Sequence, residues 1–417
     1  MADASADVAI IGAGAAGLAT AIFTRSHAPA LTVRLLDGAV RPGAKILVSG
    51  GSRCNVTNVE VREDDFNGGS RAAIRRVLRA FTAADARAWF EQRGLALHEE
   101  PHGKLFPDSN RSRDVVDLLL DASSRAGVRH HFGERVIEIV RLGQGFDLRV
   151  TDRTYRARRI VLATGGLSLP KTGSDGWGYD AARALGHTVV PTTPALVPLT
   201  IDDSAGSPHR QLTGVAQPAR IDVQVDGRVA TRVDGAMLWT HFGISGPAAL
   251  DVSRHWLRAR LEGRDVTLAA NLVPAHRFET LDAHLVDAAR TRPRARIETV
   301  LADLVPTSVA SAIAAHASVA ADRAMAELTR DQRRALVHAL VALPLAITGS
   351  RGYNYAEVTA GGVSLAEIDP GTMTSRVCPG LSLVGEILDV DGRLGGFNFQ
   401  WAWSSAWVAA RHLASTR

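Results

Sequence analysis

The feature that most constrains the fold of this chain is a glycine-rich turn close to its N-terminus. Residues 12–17 read GAGAAG and have the GxGxxG spacing, which is a weak signal when it stands alone. Here the turn follows an apolar run over 7–12, typical of a buried parallel strand, and precedes an Ala/Leu-rich stretch over 15–25, typical of a helix. Residues 31–36 then predict a second strand. This β-α-β opening predicts an α/β fold with a parallel sheet covered by helices.

Each glycine of the turn has a physical role if a dinucleotide is bound. Gly12 permits the tight turn, Gly14 lets a pyrophosphate approach the backbone, and Gly17 lets the helix pack closely on the strand. The helix N-terminus offers free N–H groups and the positive end of a dipole to the phosphates. Asp37, 20 residues after Gly17 and at the end of the second predicted strand, can accept hydrogen bonds from a ribose. The arrangement predicts an adenine dinucleotide site.

The residues leave NAD and FAD open as the ligand. No second GxGxxG occurs later in the chain, whereas a pyridine-nucleotide disulfide reductase would show one for its NADPH domain. One dinucleotide site followed by a long C-terminal return favours FAD as the resident cofactor.

Composition excludes several classes of protein. With 417 residues, 46% hydrophobic and 22% charged, the chain suits two or three packed domains, and we find no run of 18 apolar residues that would span a membrane. The net charge is +5 with a pI of about 9.7. The basic residues form no block of five, so we expect a solvated surface and no nucleic-acid partner.

Cysteine usage and the first residues bear on the cellular location. Cys54 and Cys378 are the two cysteines, too few and too far apart for a disulfide scaffold or a zinc site, so we expect no metal. The chain opens on a short acidic stretch rather than a basic and apolar leader. We therefore expect a cytoplasmic protein with free thiols.

The sequence texture changes near residue 190 and returns near 350. We predict a discontinuous nucleotide-binding domain over 1–190 and 350–417. Its insertion is predicted to hold a β-rich domain over 191–274 and 336–349, where short apolar runs are punctuated by Pro and Gly. A helical subdomain is predicted over 275–335, which is rich in Ala, Leu and Arg.

Two further segments have the composition of a cofactor site. Residues 44–58 read as a loop of small and hydrogen-bonding residues that can approach a flat ring or a phosphate, although an ordinary loop has the same composition. Gly385-Glu386 ends a predicted strand, and a glycine-rich approach to a final helix over 398–413 follows. That helix can aim N–H groups at the pyrimidine edge of a flavin. Its tryptophans, 401, 403 and 407, are expected to pack in the core.

Together these segments closely resemble the aminoacetone-oxidase-like FAD-binding flavoproteins, a family that also includes bile-acid 3-oxo-Δ4-reductase-like members. Several long motifs in the right order make the resemblance specific, and they run through nearly the whole chain. The matching stretches are 8–17, 45–58 (KILVSGGSRCNVTN), 163–178 (ATGGLSLPKTGSDGWG), 194–199 (PALVPL), 240–247 (THFGISGP), 356–363 (AEVTAGGV) and 384–403 (VGEILDVDGRLGGFNFQWAW).

The resemblance implies a Rossmann-like, glutathione-reductase-type FAD-binding domain with an inserted β-barrel-like and helical region, and tightly but non-covalently held FAD. It also implies contacts to the cofactor at matching positions. The ADP half would contact Gly12, Gly14, Ala15, Ala16, Gly17 and Asp37, and the loop beside the flavin would supply Lys45, Ser49, Gly50, Arg53, Asn55 and Thr57. Thr164 and Gly165 would lie at the dinucleotide crossover, the ribityl and isoalloxazine end would contact Gly385, Glu386, Asp391, Gly396, Phe397 and Asn398, and Val136 is a further expected cofactor contact.

The chain departs from the family pattern at three positions. Ser52 stands where the family usually has a third glycine, which we expect to stiffen the flavin loop slightly. Phe397 and Phe399 replace the commoner Tyr and Leu. These changes do not threaten FAD binding, but they alter what lies near the ring.

Candidate reacting groups are His241 and the group formed by Arg351, Tyr353 and Tyr355, for each of which a packing or surface role is the alternative. Cys54 could be a redox thiol, but without a neighbouring cysteine a small packed residue is favoured. The expected activity is that of an FAD-dependent oxidoreductase acting by hydride transfer on a small organic substrate, as an amine or aminoketone oxidase. The alternatives are a reductase of an enone or similar acceptor, fed by transient NAD(P)H, and a non-enzymatic flavin- or nucleotide-binding protein. The sequence does not indicate an oligomeric state.

Overall fold

The structure is a computed structural model that describes residues 5–202 and 206–415. The chain divides into two compact units: unit 1 is Met1–Pro194 with Glu357–Arg417, and unit 2 is Ala195–Ala356. The acidic stretch behind the expected cytoplasmic location begins in the first four residues, which lie outside the described residues. Among the described residues, none of the helices combines the length and the apolar character that crossing a bilayer requires.

The predicted β-α-β opening is confirmed. β1 (Ala6–Ile11) is followed by α1 (Ala15–His27) and β2 (Val33–Asp37). β1 lies between β2 and β10 and runs parallel to both, and its apolar side chains are almost entirely buried. The apolar run of the sequence is therefore a central strand of a parallel sheet, as its composition indicates.

The rest of the first segment of unit 1 alternates helices and short strands. These elements are α2 (Ala44–Ser52), β3 (Thr57–Asn58), β4 (Phe66–Gly68), α3 (Arg71–Ala80), α4 (Ala83–Glu91), β5 (Leu97–Glu100), β6 (Lys104–Pro107), α5 (Ser112–Arg125), β7 (Arg129–Phe132), β8 (Glu138–Leu142), β9 (Gly145–Arg149), β10 (Thr154–Leu162), α6 (Trp177–Ala184) and β11 (Val189–Ala195).

The loop predicted over 44–58 is wrong in part, because α2 lies within it. Its glycines still break the regular helix: Ser49 is extended, and Gly50 and Gly51 are left-handed. The sequence therefore showed the interruption and missed the short helix around it. Helix α4, by contrast, begins at a capping box formed by Thr82 and Asp85, a helix start signal that can be read from the sequence.

Unit 2 combines an antiparallel sheet with helices. Its elements are β12 (Leu199–Ile201), β13 (Ala216–Val225), β14 (Arg228–Thr240), β15 (Gly243–Ser245), α7 (Gly246–Leu261), β16 (Val266–Asn271), α8 (Phe278–Thr291), α9 (Ile297–Ala302), α10 (Thr307–His316), α11 (Arg330–Val341), β17 (Leu343–Leu345) and β18 (Ile347–Ser350). Its apolar core is separate from that of unit 1.

The sheet of unit 2 has the strand order β17-β16-β13-β14-β15-β12-β18. The two end strands are separated in the chain by Ala346 alone, so one continuous segment closes the sheet into a barrel-like ring. α7 packs against β13 and β14. The β-rich region predicted over 191–274 thus also contains a helix, which starts at Gly246-Pro247. A proline in the first helical turn is a start signal, but the same residue also fits a turn between strands.

The chain returns to unit 1 with β19 (Val358–Val363), β20 (Leu381–Leu383), β21 (Val390–Gly392) and α12 (Phe397–Ser415). β20 lies parallel to β10 and so completes the parallel sheet, whose order is β7-β2-β1-β10 with β20 beside β10 and the hairpin β8–β9 at the edge. α12 packs along α1, with Trp401 and Trp403 buried in the core as expected. The predicted domain boundaries stay predictions, but the sheet of unit 1 does join both ends of the chain.

Candidate cofactor site

The glycine turn between β1 and α1 is shaped by the protein's own packing. Gly12 has φ +103°, and a Cβ there would overlap the carbonyl of Ala163, the residue that directly follows β10. A Cβ on Gly17 would overlap the carbonyl oxygen of Gly12. A Cβ on Gly14, however, would meet no atom within 4 Å. Two glycines are thus required for the turn itself, and the third leaves open space beside the backbone.

The N-terminus of α1 is open to a ligand. Gly14 is the N-cap, and no side chain caps the helix. Leu18 N–H bonds the carbonyl of Gly14 at 3.0 Å, so the N–H groups of Ala15 and Ala16 precede the first helical bond. Since helix α1 is 13 residues long, its uncapped end presents N–H donors and a positive dipole end to an anion.

Asp37 is fixed at the end of β2 beside this turn. Its Oδ2 accepts from the N–H of Ala13 at 2.6 Å, and its Oδ1 accepts from the N–H of Ala39 at 2.7 Å. Its backbone carbonyl accepts from Glu134 N–H at 3.0 Å, which brings the segment containing the buried Val136 to the same strand end. A carboxylate held in this way keeps lone pairs for hydroxyl groups, as a ribose site needs.

Four side chains from distant parts of unit 1 meet in what we call the Glu386 cluster: Lys45, Ser168, Thr359 and Glu386. Glu386 Oε1 accepts from Ser168 Oγ at 2.6 Å and from Thr359 N–H at 3.0 Å, and Oε2 pairs with the Lys45 ammonium. Thr359 Oγ1 in turn accepts from Ser168 N–H at 3.1 Å. The side chains of Lys45 and Glu386 are 24% and 17% exposed, so this pair is less screened than a surface pair.

Lys45 and Glu386 were singled out from the sequence, whereas Ser168 and Thr359 were not. Both lie in stretches that carry the family resemblance, ATGGLSLPKTG and AEVTAGGV. A hydroxyl residue inside each glycine-rich stretch is the signal that could have identified them.

The C-terminal glycine segment approaches the first helix. A Cβ on Gly385, which has φ +75°, would come 2.7 Å from the Cβ of Ala16. Gly385 N–H donates to Ser405 Oγ at 3.0 Å, and its carbonyl accepts from Trp401 Nε1 at 3.2 Å. The fold of unit 1 thus brings the first and last predicted cofactor motifs together at the α1 N-terminus.

Buried polar atoms without partners lie in the same region. Asn55 Oδ1 and Thr164 Oγ1 are buried and have no hydrogen-bond partner among the described residues. A Cβ on Gly396 would come 2.8 Å from Asn55 Oδ1, and Gly165 is left-handed directly after Thr164. Because buried polar atoms are normally hydrogen-bonded, these two fit a polar ligand. Together with the open α1 end, the residues present fit a dinucleotide such as FAD.

The flavin loop is backbone-strained at two further positions. Ser52 and Cys54 have φ +65° and +62°, in the region that favours glycine. The serine that replaces the usual third glycine therefore occupies a conformation that glycine would adopt more easily. Burial raises the pKa of the Cys54 thiol to about 12, which supports its interpretation as a packed residue rather than a redox thiol.

Several predicted cofactor residues have protein partners for their side chains. The Arg53 guanidinium pairs with Glu100 and stacks on the ring of Phe106 at 4.1 Å. Thr57 Oγ1 donates to Gln400 Oε1 at 2.7 Å. Ser49 Oγ donates to the carbonyl of Ile46, and the Asn398 side-chain amide bonds the backbone of Gly392. The buried ring of Phe397 packs against the ring of Phe66. Asp391 is 1% exposed, and Gly50 has a left-handed backbone. Their cofactor roles stay predictions.

The candidate reacting groups lie in unit 2. His241 is exposed and stands next to Phe242, whose ring lies 4.6 Å from the guanidinium carbon of Arg351. Arg351 also stacks on Tyr355 at 3.9 Å, and Tyr353 begins the single 3-10 turn that ends at Tyr355. The structure thus gathers Arg351 with two rings, one of which, Phe242, the sequence reading did not single out. No described contact tests a catalytic role for these residues.

Comparison with known proteins gives a family match over almost the whole chain. The model of the HI0933-like protein Rossmann domain matches residues 6–412. A ribosomal RNA dihydrouridine synthase of Escherichia coli (strain K12) is 34% identical over 411 residues, covering 99% of this chain and 98% of that protein. A 3-dehydro-bile acid delta(4,6)-reductase of Clostridium scindens is 31% identical over 407 residues, covering 98% of each chain.

A second ribosomal RNA dihydrouridine synthase, from Haemophilus influenzae, is 31% identical and covers 96% of both chains. Among solved structures, an E. coli quinol fumarate reductase aligns with a TM-score of 0.52 at 16% identity, covering 99% of this chain and 70% of that one. At this identity the structural likeness shows the fold alone, which is that of the Rossmann-type FAD-binding flavoproteins.

Proposed function

The chain belongs to the HI0933-like family of FAD-dependent oxidoreductases, and from that premise we propose that it reduces a carbon–carbon double bond conjugated to a carbonyl group. The observation that carries the proposal is that two relatives with different substrates in their names both reduce a double bond. A dihydrouridine synthase saturates a ring double bond next to a carbonyl, and a 3-dehydro-bile acid delta(4,6)-reductase acts on double bonds of an oxo compound. Both reactions add a hydride and a proton across an electron-poor double bond.

FAD, when bound, supplies the hydride for such a reduction. The residues of unit 1 would hold it: the N–H groups at the start of α1 for the pyrophosphate, Asp37 for the ribose, and the Glu386 cluster with Asn55 for the polar groups beyond. In the Glu386 cluster, the ammonium of Lys45 contacts Glu386 and Ser168, which restrains its position.

As the substrate we favour a uridine of ribosomal RNA. Two of the relatives, from two organisms, carry that function in their names and are aligned over nearly their whole length. The net charge of +5 and the pI of about 9.7 suit a polyanionic substrate. The second candidate is the small organic substrate expected from the sequence, without nucleic acid, and the bile-acid reductase relative supports it. The amine or aminoketone oxidase activity expected from the sequence is a third candidate, and the second experiment below also tests it.

The direct experiment is complementation. An E. coli strain that lacks its ribosomal RNA dihydrouridine synthase is transformed with this chain or with empty vector, and dihydrouridine in digested ribosomal RNA is measured by mass spectrometry. We expect dihydrouridine to reappear with the chain and not with the vector. Its absence, with soluble yellow protein present in the cells, would count against uridine as the substrate.

A second experiment separates the reaction classes on purified protein. Under anaerobic conditions we measure bleaching of the bound flavin by NADPH and NADH, then its reoxidation by an unmodified ribosomal RNA fragment or by a 3-oxo-Δ4 steroid. In air, aminoacetone is supplied and hydrogen peroxide is measured. Reoxidation by RNA supports the favoured substrate, and reoxidation by the steroid supports the second. Peroxide from aminoacetone, with no reoxidation by either acceptor, overturns the reductase proposal.

A further inference from the structure

Unit 2 contains an arginine in contact with two aromatic rings, and we call these three residues the Arg351 stack: Phe242, Arg351 and Tyr355. The guanidinium carbon of Arg351 lies 4.6 Å from the ring centroid of Phe242 and 3.9 Å from that of Tyr355. Among the cation–ring contacts of the described residues, this guanidinium is the one in contact with two rings.

The local backbone fixes these three residues. Arg351 directly follows β18 and its N–H donates to the carbonyl of Pro198 at 3.0 Å. Gly352 has φ +70° and turns the chain into the 3-10 turn that carries Tyr355. Phe242 is held in the tight connection from β14 to β15, where a Cβ on Gly243 would overlap the carbonyl of Leu199. The stack is therefore set by regular elements of the unit 2 sheet.

Arg351 has no carboxylate partner and no side-chain hydrogen bond in the parts of the chain that the structure describes. Most guanidinium groups near an acid are neutralised by it, as Arg220 is by Asp234 at 2.9 Å in the same unit. Both rings attract the guanidinium of Arg351 by cation–π interaction but leave its N–H donors without an acceptor. Those donors lie in the plane of the guanidinium and can bind an oxyanion in the bidentate manner.

Tyr355 supplies a second recognition element. Its side chain lies against Arg351 on one face, yet the residue is 52% exposed. An exposed aromatic face is a platform on which a planar heterocycle stacks. An oxyanion at the arginine edge and a planar ring on the adjacent tyrosine are the two parts of a nucleotide, namely its phosphate and its base.

We propose that the Arg351 stack is a nucleotide-binding site of unit 2, with the phosphate on the edge of Arg351 and the base on the outer face of Tyr355. Two sources share this chemistry: a nucleotide of single-stranded RNA and the 2′-phosphoadenosine of NADPH. The RNA source rests on the proposed function, whereas the NADPH source holds for any reductase fed by that donor.

The test measures binding to the full-length protein saturated with FAD, so that the dinucleotide site of unit 1 is filled. The probes are an eight-nucleotide uridine- and adenosine-containing RNA labelled with a fluorophore, NADPH, and NADH, which lacks the 2′-phosphate. The variants are Arg351→Met, Arg351→Lys, Tyr355→Leu and Tyr355→Phe. Arg294→Met is the matched control, because Arg294 is an exposed arginine of unit 2 with no described partner. The FAD spectrum and Tm of every variant establish that it is folded.

We expect Arg351→Met to weaken binding of one probe about 10- to 100-fold, and Tyr355→Leu about 5- to 50-fold. Tyr355→Phe and Arg294→Met should change it less than threefold, and Arg351→Lys should fall in between because it keeps the charge and loses the planar donors. If the variants weaken binding of the RNA probe, the site binds a nucleotide of RNA. If they weaken binding of NADPH but not of NADH, the site binds the 2′-phosphoadenosine of NADPH.

Three outcomes overturn the proposal. If wild-type holoprotein binds none of the three probes, or if Arg294→Met weakens binding as much as Arg351→Met, the stack is a packing feature or one charge among many. If Arg351→Met weakens binding and Tyr355→Leu does not, the site takes a bare anion and no nucleotide. Failure of the RNA reduction assay with these binding losses intact would instead refute the proposed function and leave the site standing.

Discussion

Lys45 in unit 1 and Arg351 in unit 2 have different kinds of partner. In unit 1, Lys45 is paired with Glu386 and hydrogen-bonded to Ser168, so its charge is neutralised by the protein itself. In unit 2, Arg351 has two rings and no acid in the described chain. A closed network of this kind suits a group that stays bound, because every partner is already positioned. An arginine with open donors suits a ligand that arrives and leaves.

The two regions also differ in what the chain supplies. The cofactor site of unit 1 is made largely by backbone, with glycines where a Cβ would overlap a neighbouring carbonyl. The Arg351 stack is made by side chains that lie at or just beyond the ends of strands β14 and β18. We therefore expect substitutions in unit 1 to damage folding and cofactor binding together, and substitutions in the stack to damage binding alone.

The largest expected effect is that of Gly17→Ala. Its Cβ would overlap the carbonyl oxygen of Gly12, so α1 and β1 cannot keep their packing. We expect no soluble yellow protein, measured by yield and by absorbance near 450 nm. The matched variant is Gly14→Ala, whose Cβ meets no protein atom. It should fold and bind FAD more weakly. Equal FAD content in both variants would break the claim that backbone packing makes this site.

The next effect is that of Glu386→Gln. The change removes the charge that pairs with Lys45 and one acceptor of the cluster, and loss of a charged hydrogen bond costs about 1.5–3 kcal/mol. We expect the Kd of FAD for the apoprotein to rise about 10- to 100-fold, measured by quenching of flavin fluorescence. Glu367→Gln is the control, because this carboxylate of unit 1 bonds His187 and Thr188 instead. A similar loss of affinity in the control would show a general effect of charge.

A third prediction concerns pH and belongs to unit 2. Burial, and then the charge of Arg254, lowers the pKa of His255 from 6.5 to about 4. As the pH falls from about 6.5 towards 4, the unfolded chain binds a proton that the folded chain does not, so stability is lost in this window. His255→Asn should reduce the loss, measured as the difference in urea midpoint between pH 7.5 and pH 4.5. An unchanged difference would show that other groups dominate.

The smallest effect is expected for Ser52→Gly. Glycine relieves the left-handed φ of +65° but adds freedom to the unfolded chain. We expect the free energy of unfolding to change by less than about 1 kcal/mol and not to fall. Ala122→Gly, within helix α5, should lower it by about 1 kcal/mol. Matching losses in the two variants would mean that Ser52 is not strained.

Local chemistry explains which features the sequence predicted. The glycine turn, Asp37 and the first two strands follow from residues close together in the chain, and their expected structure is confirmed. Ser168 and Glu386 are separated by 218 positions, and Phe242 and Arg351 lie on separate strand ends. No local pattern reports that such residues meet. Helix α7 was missed for a different reason, since its opening Gly-Pro also fits a turn between strands.

The return of β20 to the edge of β10 has a consequence for biosynthesis. The ribosome synthesises the first part of unit 1 and then all of unit 2 before it adds Leu381–Leu383. At 5–20 residues per second the interval is roughly 10 to 40 s. During that time unit 2 can fold as it emerges, while the edge of β10 in the nascent N-terminal segment is not yet paired with β20. A nascent chain stalled before Leu381 should accordingly be prone to aggregation and to capture by chaperones.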